Sequence, residues 1–126
     1  MSSLAGKFGT PYRSGYAASK HALHGFFDAV RAEYWKDNIC VTMLCPGVIN
    51  TPITYSALTG DGTPLNKMDN LQANGKPAEW CATKIADAME KKKEEVYLGG
   101  KEVLLIYIKR FFPSLFSRII RKVTVR

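Results

Sequence analysis

The sequence predicts an α/β fold with a parallel sheet. Three observations carry that prediction: apolar residues recurring at three- and four-residue steps, two short runs that read as strands, and the order helix, strand, loop, helix, strand, helix. Composition agrees. The chain has 126 residues, 46% of them hydrophobic and 23% charged, which is too apolar for a disordered tail and is one domain's worth of chain at most.

Residues 1 to 11 are small and Gly-rich, and Pro11 closes them, so they read as a loop. From Ser14 to about Trp35, the residues Tyr16, Ala17, Leu23, Phe26, Phe27, Val30 and Tyr34 fall at helical spacing. A helix is accordingly placed at 14–36, with Asp37-Asn38 breaking it. Ile39 to Cys45 is rich in β-branched residues and stops at Pro46-Gly47. Its apolar residues do not alternate with polar ones, which suits a strand buried on both faces. Residues 48–76 hold several Gly and Pro breaks and read as a long irregular connection, of the kind that usually serves function. Pro77 opens a second helix reaching about Lys92. Glu95 to Leu98 is a second strand ended by Gly99-Gly100, and a helical stretch interrupted at Pro113 completes the chain.

Two strands buried on both faces need neighbours. The chain therefore reads as the C-terminal part of a larger domain, residues 1–100, followed by a basic amphipathic extension, residues 101–126. The longest notable apolar run, Val103 to Ile108, has six residues, far below the roughly 18 a spanning helix needs. The opening Met-Ser-Ser-Leu-Ala-Gly-Lys lacks the basic head and apolar core of a secretory signal. Cys40, Cys45 and Cys81 are an odd number without a Cys-x-x-Cys pair, so reduced and mostly buried thiols in a cytoplasmic protein are expected. The net charge of +7 is concentrated. Residues 1–100 carry 11 Lys/Arg against 10 Asp/Glu, and residues 101–126 carry 7 against 1. This is a basic tail rather than a basic domain, which speaks against nucleic-acid binding.

The sharpest local feature is Tyr16-Ala-Ala-Ser-Lys20. Four-residue spacing stacks Tyr16 and Lys20 on one helical face. A free tyrosine has a pKa of about 10. An ammonium beside it favours the phenolate, which makes the pair a credible general acid/base. Average composition alone places Tyr-x-x-x-Lys in roughly one chain in five of this length, so the context matters. Ser3 lies thirteen residues upstream in a loop that can bring its hydroxyl back to the helix start, where it could hold a carbonyl or alcohol oxygen. Downstream, the first strand runs directly into Pro46-Gly47-Val48-Ile49-Asn50-Thr51, and the carboxyl ends of strands are where open α/β sheets bind ligands.

In order and spacing these residues resemble the second half of the short-chain dehydrogenase/reductases: Ser3, then Tyr-x-Ala-Ser-Lys, then a strand and Pro-Gly-x-Ile-x-Thr. Ser-Lys-His-Ala-Leu-His-Gly-Phe-Phe-Asp, Arg-Ala-Glu and Leu-Thr-Gly-Asp-Gly are most similar to the member 7 branch of that family and its bacterial relatives. The resemblance implies the C-terminal part of a Rossmann-type doubly wound parallel sheet. It implies an NAD(P)(H)-dependent oxidoreductase that moves a hydride between nicotinamide and a small carbonyl or secondary alcohol. Tyr16 would be the acid/base, Ser3 would orient the reacting oxygen, and Lys20 would support Tyr16 and bind the nicotinamide ribose. Pro46, Gly47, Ile49 and Thr51 would position the carboxamide, and residues 52–76 would form the substrate loop. Helix 14–36 would build a homodimer or tetramer. The Gly-x-x-x-Gly-x-Gly turn, the residue that chooses NAD or NADP, the Asn-Ala-Gly segment and the family's catalytic asparagine belong to a first half that this sequence does not include.

His21 and His24 stand three apart with Asp28 four further on, and no further ligand is apparent in sequence, so no metal site is predicted. Lys91-Lys92-Lys93 reads as a solvated helix end, and Trp80 and the methionines as core. In the tail, Leu104, Ile108, Phe111, Leu115 and Ile119 form a stripe widened by Leu105, Phe112, Phe116 and Ile120, with Lys109, Arg110, Arg118, Arg121 and Lys122 interspersed. That make-up suits an interfacial helix on an anionic membrane, and equally a cap on the protein's own core or its dimer partner. A second functional reading follows: a catalytically incompetent chain that keeps its dimerisation and membrane-surface contacts.

Overall fold

The computed structural model describes residues 1–56, 61–64 and 70–123. Among them the elements are α1 (Ser14–Glu33), β1 (Met43–Pro46), β2 (Ile49–Asn50), α2 (Asn70–Ala73), β3 (Lys76–Pro77), α3 (Ala78–Glu90), β4 (Glu95–Leu98), α4 (Leu104–Phe111) and α5 (Pro113–Ile120). Short 3-10 turns at Leu4–Gly6, Trp35–Asp37, Pro52–Ser56 and Lys101–Val103 join them.

Parallel strands need a crossover, and α3 supplies it. β1 and β4 pair in parallel from Met43 opposite Glu95 to Pro46 opposite Leu98. Met43, Leu44 and Cys45 are all buried, as a strand covered on both faces requires. The strand is shorter than the run that suggested it. Its register with β4 begins at Met43, and the Ile39–Thr42 stretch falls outside the ladder. The segment 48–76 is less irregular than its composition suggests. β2 and β3 pair in parallel, Ile49 opposite Lys76 and Asn50 opposite Pro77. Gly75 permits that pairing, because a Cβ there would lie 2.8–2.9 Å from the backbone of residues 48–50.

Side-chain alternation sends the two faces of the β1–β4 pair to different partners. On one face Leu98 and Val96 pack with Ile49, Cys81, Trp80 and Ile85, so α3 and β2 cover it. On the other, Cys45 and Tyr97 meet Leu4, Phe8 and Phe116, with Leu105, Ile106, Ile108 and Ile120 around them. Helical segments thus cover both faces of the parallel pair, an α/β arrangement. The rings of Phe8 and Phe116 meet edge to face at 5.8 Å. Arg31 fastens α1 to the start of both strands: its guanidinium donates to the carbonyls of Val41 (3.3 Å) and Glu94 (3.2 Å) and pairs with Asp28 at 2.8 Å.

α1 ends at Glu33, and a 3-10 turn carries the chain to Asn38, whose φ of 56° stops the helix. Ala17 and His24 are buried on its inner side, while Tyr16, Phe26 and Tyr34 are exposed. The tail divides between its two readings. Leu105, Ile108, Phe116 and Ile120 cap the core, whereas Leu104, Phe111, Phe112 and Leu115 are exposed. Pro113 sits at the start of α5 rather than inside one long helix. Cys45 and Cys81 are buried and Cys40 is exposed, so the thiols are mostly buried, as expected. One expectation needs correction. Met1 and Met89 are exposed, leaving Met43 as the buried methionine among the described residues. No helix among them is long and apolar enough to cross a membrane.

Candidate functional site

The first turn of α1 carries Tyr16. Its side chain is open to solvent, the residue being 44% exposed. One turn on, the Lys20 ammonium lies 5.6 Å from the centre of the Tyr16 ring, the neighbourhood that the four-residue spacing requires. Ser3 caps the Leu4–Gly6 turn. Its hydroxyl accepts from the Ala5 N–H at 3.2 Å and donates to the Pro46 carbonyl at 3.3 Å. The cap therefore ties the loop before α1 to the carboxyl end of β1.

Pro46 closes β1, and the Gly47 N–H extends the ladder by donating to the Leu98 carbonyl at 2.7 Å. A Cβ on Gly47 would meet Leu4 Cδ1 at 3.0 Å and a Glu102 carboxylate oxygen at 2.6 Å, so the turn runs close under neighbouring side chains. The Ile49 side chain is buried against Cys81 and Leu98, so what it offers a ligand is backbone. The Ile49 carbonyl accepts from the Gln72 side-chain amide, and the same amide lies 3.4 Å from the Thr51 hydroxyl. Ser3, Pro46 and Gly47 are thus brought together, Tyr16 and Lys20 form a second pair, and Ile49 and Thr51 share Gln72. Hydroxyls, an ammonium and backbone groups of this kind suit a ligand rich in carbonyl and hydroxyl oxygens. Residues 57–60 and 65–69 of the segment expected to form the substrate loop lie outside the described residues.

Behind these residues is a buried polar cluster. Ser2 Oγ lies 3.1 Å from His24 Nε2 and donates to the Lys20 carbonyl at 3.2 Å. His24 Nε2 is 3.6 Å from Cys45 Sγ, which is 3.8 Å from a Glu95 carboxylate oxygen. The Lys7 ammonium pairs with that oxygen at 2.7 Å. Burial, and then the nearby Lys7 cation, lower the His24 pKa and favour the neutral imidazole. Burial, reinforced by the Glu95 charge, pushes the Cys45 thiol up to about 12, so on its own it is an inert thiol. Burial also raises the Tyr97 phenol, and Glu95 adds to that shift.

The first 61 residues match the family model for short chain dehydrogenases. The mouse (Mus musculus) protein named Dehydrogenase/reductase SDR family member 7B is 42% identical over 120 residues, covering 94% of this chain. The Anopheles gambiae Dehydrogenase/reductase SDR family protein 7-like is 41% identical over 123 residues, covering 97%. Its Drosophila melanogaster namesake is 35% identical over 127 residues, covering the whole chain. The chain belongs to the short-chain dehydrogenase/reductase superfamily. Within it, these relatives point to the member 7 branch. The chain spans 37–39% of the length of these relatives.

For a short-chain dehydrogenase/reductase, two arrangements were beyond reach of the sequence. Gln72 sits 23 residues from Ile49 and 21 from Thr51, inside a segment that reads as irregular. The grouping of Cys45 and Glu95 around His24 links positions 21 and 50 residues apart. It gives His24 neighbours that no sequence spacing revealed. His21 stands apart, its Nδ1 donating to the Ala17 carbonyl at 2.8 Å.

Proposed function

We propose that this chain is the proton-handling part of an NAD(P)(H)-dependent oxidoreductase, acting on a small carbonyl or secondary alcohol. One observation carries the reading: the Ser3 hydroxyl bridges to the carboxyl end of β1, in the same loop that leads into the Tyr16–Lys20 helix. Hydroxyls, an ammonium and the Pro46–Thr51 backbone fit the carboxamide and ribose of a nicotinamide nucleotide. When bound, the nicotinamide supplies or takes up the hydride.

The residues of this chain do the rest. In the reducing direction the Tyr16 O–H bond breaks as the proton passes to the carbonyl oxygen. In the oxidising direction the Tyr16 oxygen takes the proton back from the alcohol. Ser3 turns its single hydrogen from the Pro46 carbonyl toward the reacting oxygen and holds it in place. That exchange is inexpensive because the bond it gives up is long, at 3.3 Å. Lys20 is the cation that steadies Tyr16 and reaches the ribose. Exposed Phe26 on α1 and Tyr34 just after it support a homodimer or tetramer built on helix 14–36. The setting would be cytoplasmic.

The test is Tyr16→Phe in the full-length protein, assayed for NADPH-dependent carbonyl reduction. The expected result is a loss of turnover of roughly 10²-fold or more, with folding retained. Undiminished turnover sinks the proposal.

A second reading has its own support. Exposed Leu104, Phe111, Phe112 and Leu115, interspersed with cations, suit an anionic membrane surface. On that reading residues 103–126 dock at the surface, and the 126-residue chain keeps dimerisation and membrane contact without catalysis. Titrating NADPH against the 126-residue chain separates the two: saturable binding favours the enzyme, and its absence favours the interaction protein. Liposome co-sedimentation that disappears on removing residues 103–126 supports the membrane contact.

A further inference from the structure

Three potential ligand atoms of different chemistry converge under the sheet: an imidazole nitrogen from α1, a thiol from β1 and a carboxylate from β4. His24 Nε2, Cys45 Sγ and a Glu95 oxygen all lie within 4.8 Å of one another. His24 is 8% and Cys45 0% exposed. The Glu95 side chain is 30% exposed, so one side of the cluster opens to solvent. As hydrogen bonds, the 3.6 Å and 3.8 Å contacts through sulfur are weak. As edges of a tetrahedron they are well sized. With zinc–sulfur, zinc–nitrogen and zinc–oxygen bonds of about 2.3, 2.05 and 2.1 Å, tetrahedral angles set the N···S and S···O edges at roughly 3.5–3.6 Å and the N···O edge at roughly 3.4 Å, to which the carboxylate closes from within 4.8 Å by a small side-chain turn.

We infer that His24, Cys45 and Glu95 form a binding site for a divalent cation of zinc type, with Ser2 Oγ or water available for the fourth position. The donor set selects for the borderline-soft cations that accept nitrogen, sulfur and oxygen together, and against magnesium or calcium. Charge balances: one thiolate and one carboxylate neutralise a 2+ ion. On binding, the Cys45 S–H bond breaks, a sulfur–metal bond forms and the proton leaves to solvent, with no change of oxidation state. The imidazole coordinates through Nε2 and carries its proton on Nδ1, while Ser2 keeps its hydrogen on the Lys20 carbonyl. Lys7 is the resident competitor. Its ammonium holds Glu95 in the metal-free protein, and its partly exposed side chain can swing into solvent when the metal takes the carboxylate. None of this draws on Tyr16 or on the proposed hydride chemistry.

Cobalt(II) titration of the purified chain tests the site directly, because a cobalt–thiolate bond gives a near-ultraviolet charge-transfer band. The expected result is a band saturating at one cobalt per chain and reversed by zinc. Cys45→Ser removes the band, while Cys40→Ser and Cys81→Ser leave it. His24→Gln weakens cobalt binding at least tenfold, and Lys7→Gln tightens it several-fold, with far-ultraviolet circular dichroism reporting the fold of each variant. No band in the folded wild-type chain, or a band that survives Cys45→Ser, overturns the inference.

Discussion

The two faces of the β1–β4 pair are built from the same four-residue ladder and solve opposite problems. Toward α3, Val96 and Leu98 meet Ile49, Cys81, Trp80 and Ile85. Toward α1, the sheet presents Cys45 and Glu95 to His24, Lys7 and Ser2 beside the apolar cap from α4 and α5. Apolar burial on the first face is non-directional and tolerates any filling of the right volume. The second face depends on hydrogen-bond and charge partners that cannot be removed one at a time without leaving a buried group unpaired. The difference teaches where to look for chemistry: one face is closed by apolar side chains, and the other sets an imidazole, a thiol and a carboxylate beside its apolar cap.

The largest effect expected from the apolar face is Leu98→Ala. Leu98 is 2% exposed, so truncation should cost about 2–5 kcal/mol of stability, read by denaturant unfolding. Turnover per folded full-length molecule should stay unchanged. A matching loss of turnover would break the division between the faces. Ser3→Ala should do the reverse: turnover falls roughly 10²–10³-fold, while the lost cap costs only about 1 kcal/mol. Steady-state kinetics and thermal melts on the same preparation check both parts.

Gly6→Ala sharpens the comparison on the polar face. A Cβ at Gly6 would lie 2.4 Å from Ser2 Oγ and 2.9 Å from both His24 Nε2 and the Lys20 carbonyl. The cluster must shift, costing about 1–3 kcal/mol, measured as a lowered unfolding midpoint. The smallest effect belongs to the solvated end of α3. The Lys91 ammonium beside Asp87, with Lys93 at 3.8 Å, holds its carboxyl below the ordinary value of 3.8. That pair's contribution is present above pH 3.8 and fades as pH falls through the lowered pKa. Asp87→Asn should therefore produce a slight drop in melting temperature at neutral pH that vanishes in acid.

Much of the apolar architecture was legible in the sequence because it is periodic. The helical spacing through Val30 finds α1, and Asn38 stops it. Glu95 to Leu98 is β4 residue for residue. β1 begins later than its β-branched run because a partner strand, not local propensity, sets where a ladder starts. Two-residue strands such as β2 and β3 are too short to leave a pattern, so 48–76 reads as irregular. The site divides in the same way. Tyr16 and Lys20 are one helical turn apart and show in the sequence. His24, Cys45 and Glu95 meet only because a helix and two paired strands bring them together, which no local spacing records.

The most direct test of the central claim follows an isotope. Full-length wild-type protein and Tyr16→Phe are each incubated with a small ketone and nicotinamide cofactor carrying deuterium at the transferable position, and the alcohol is analysed by mass spectrometry. The account predicts one deuterium on the carbinol carbon with the wild type, and a rate reduced roughly 10²-fold or more with Tyr16→Phe. Product without deuterium, or labelled product formed equally fast by both proteins, would contradict it.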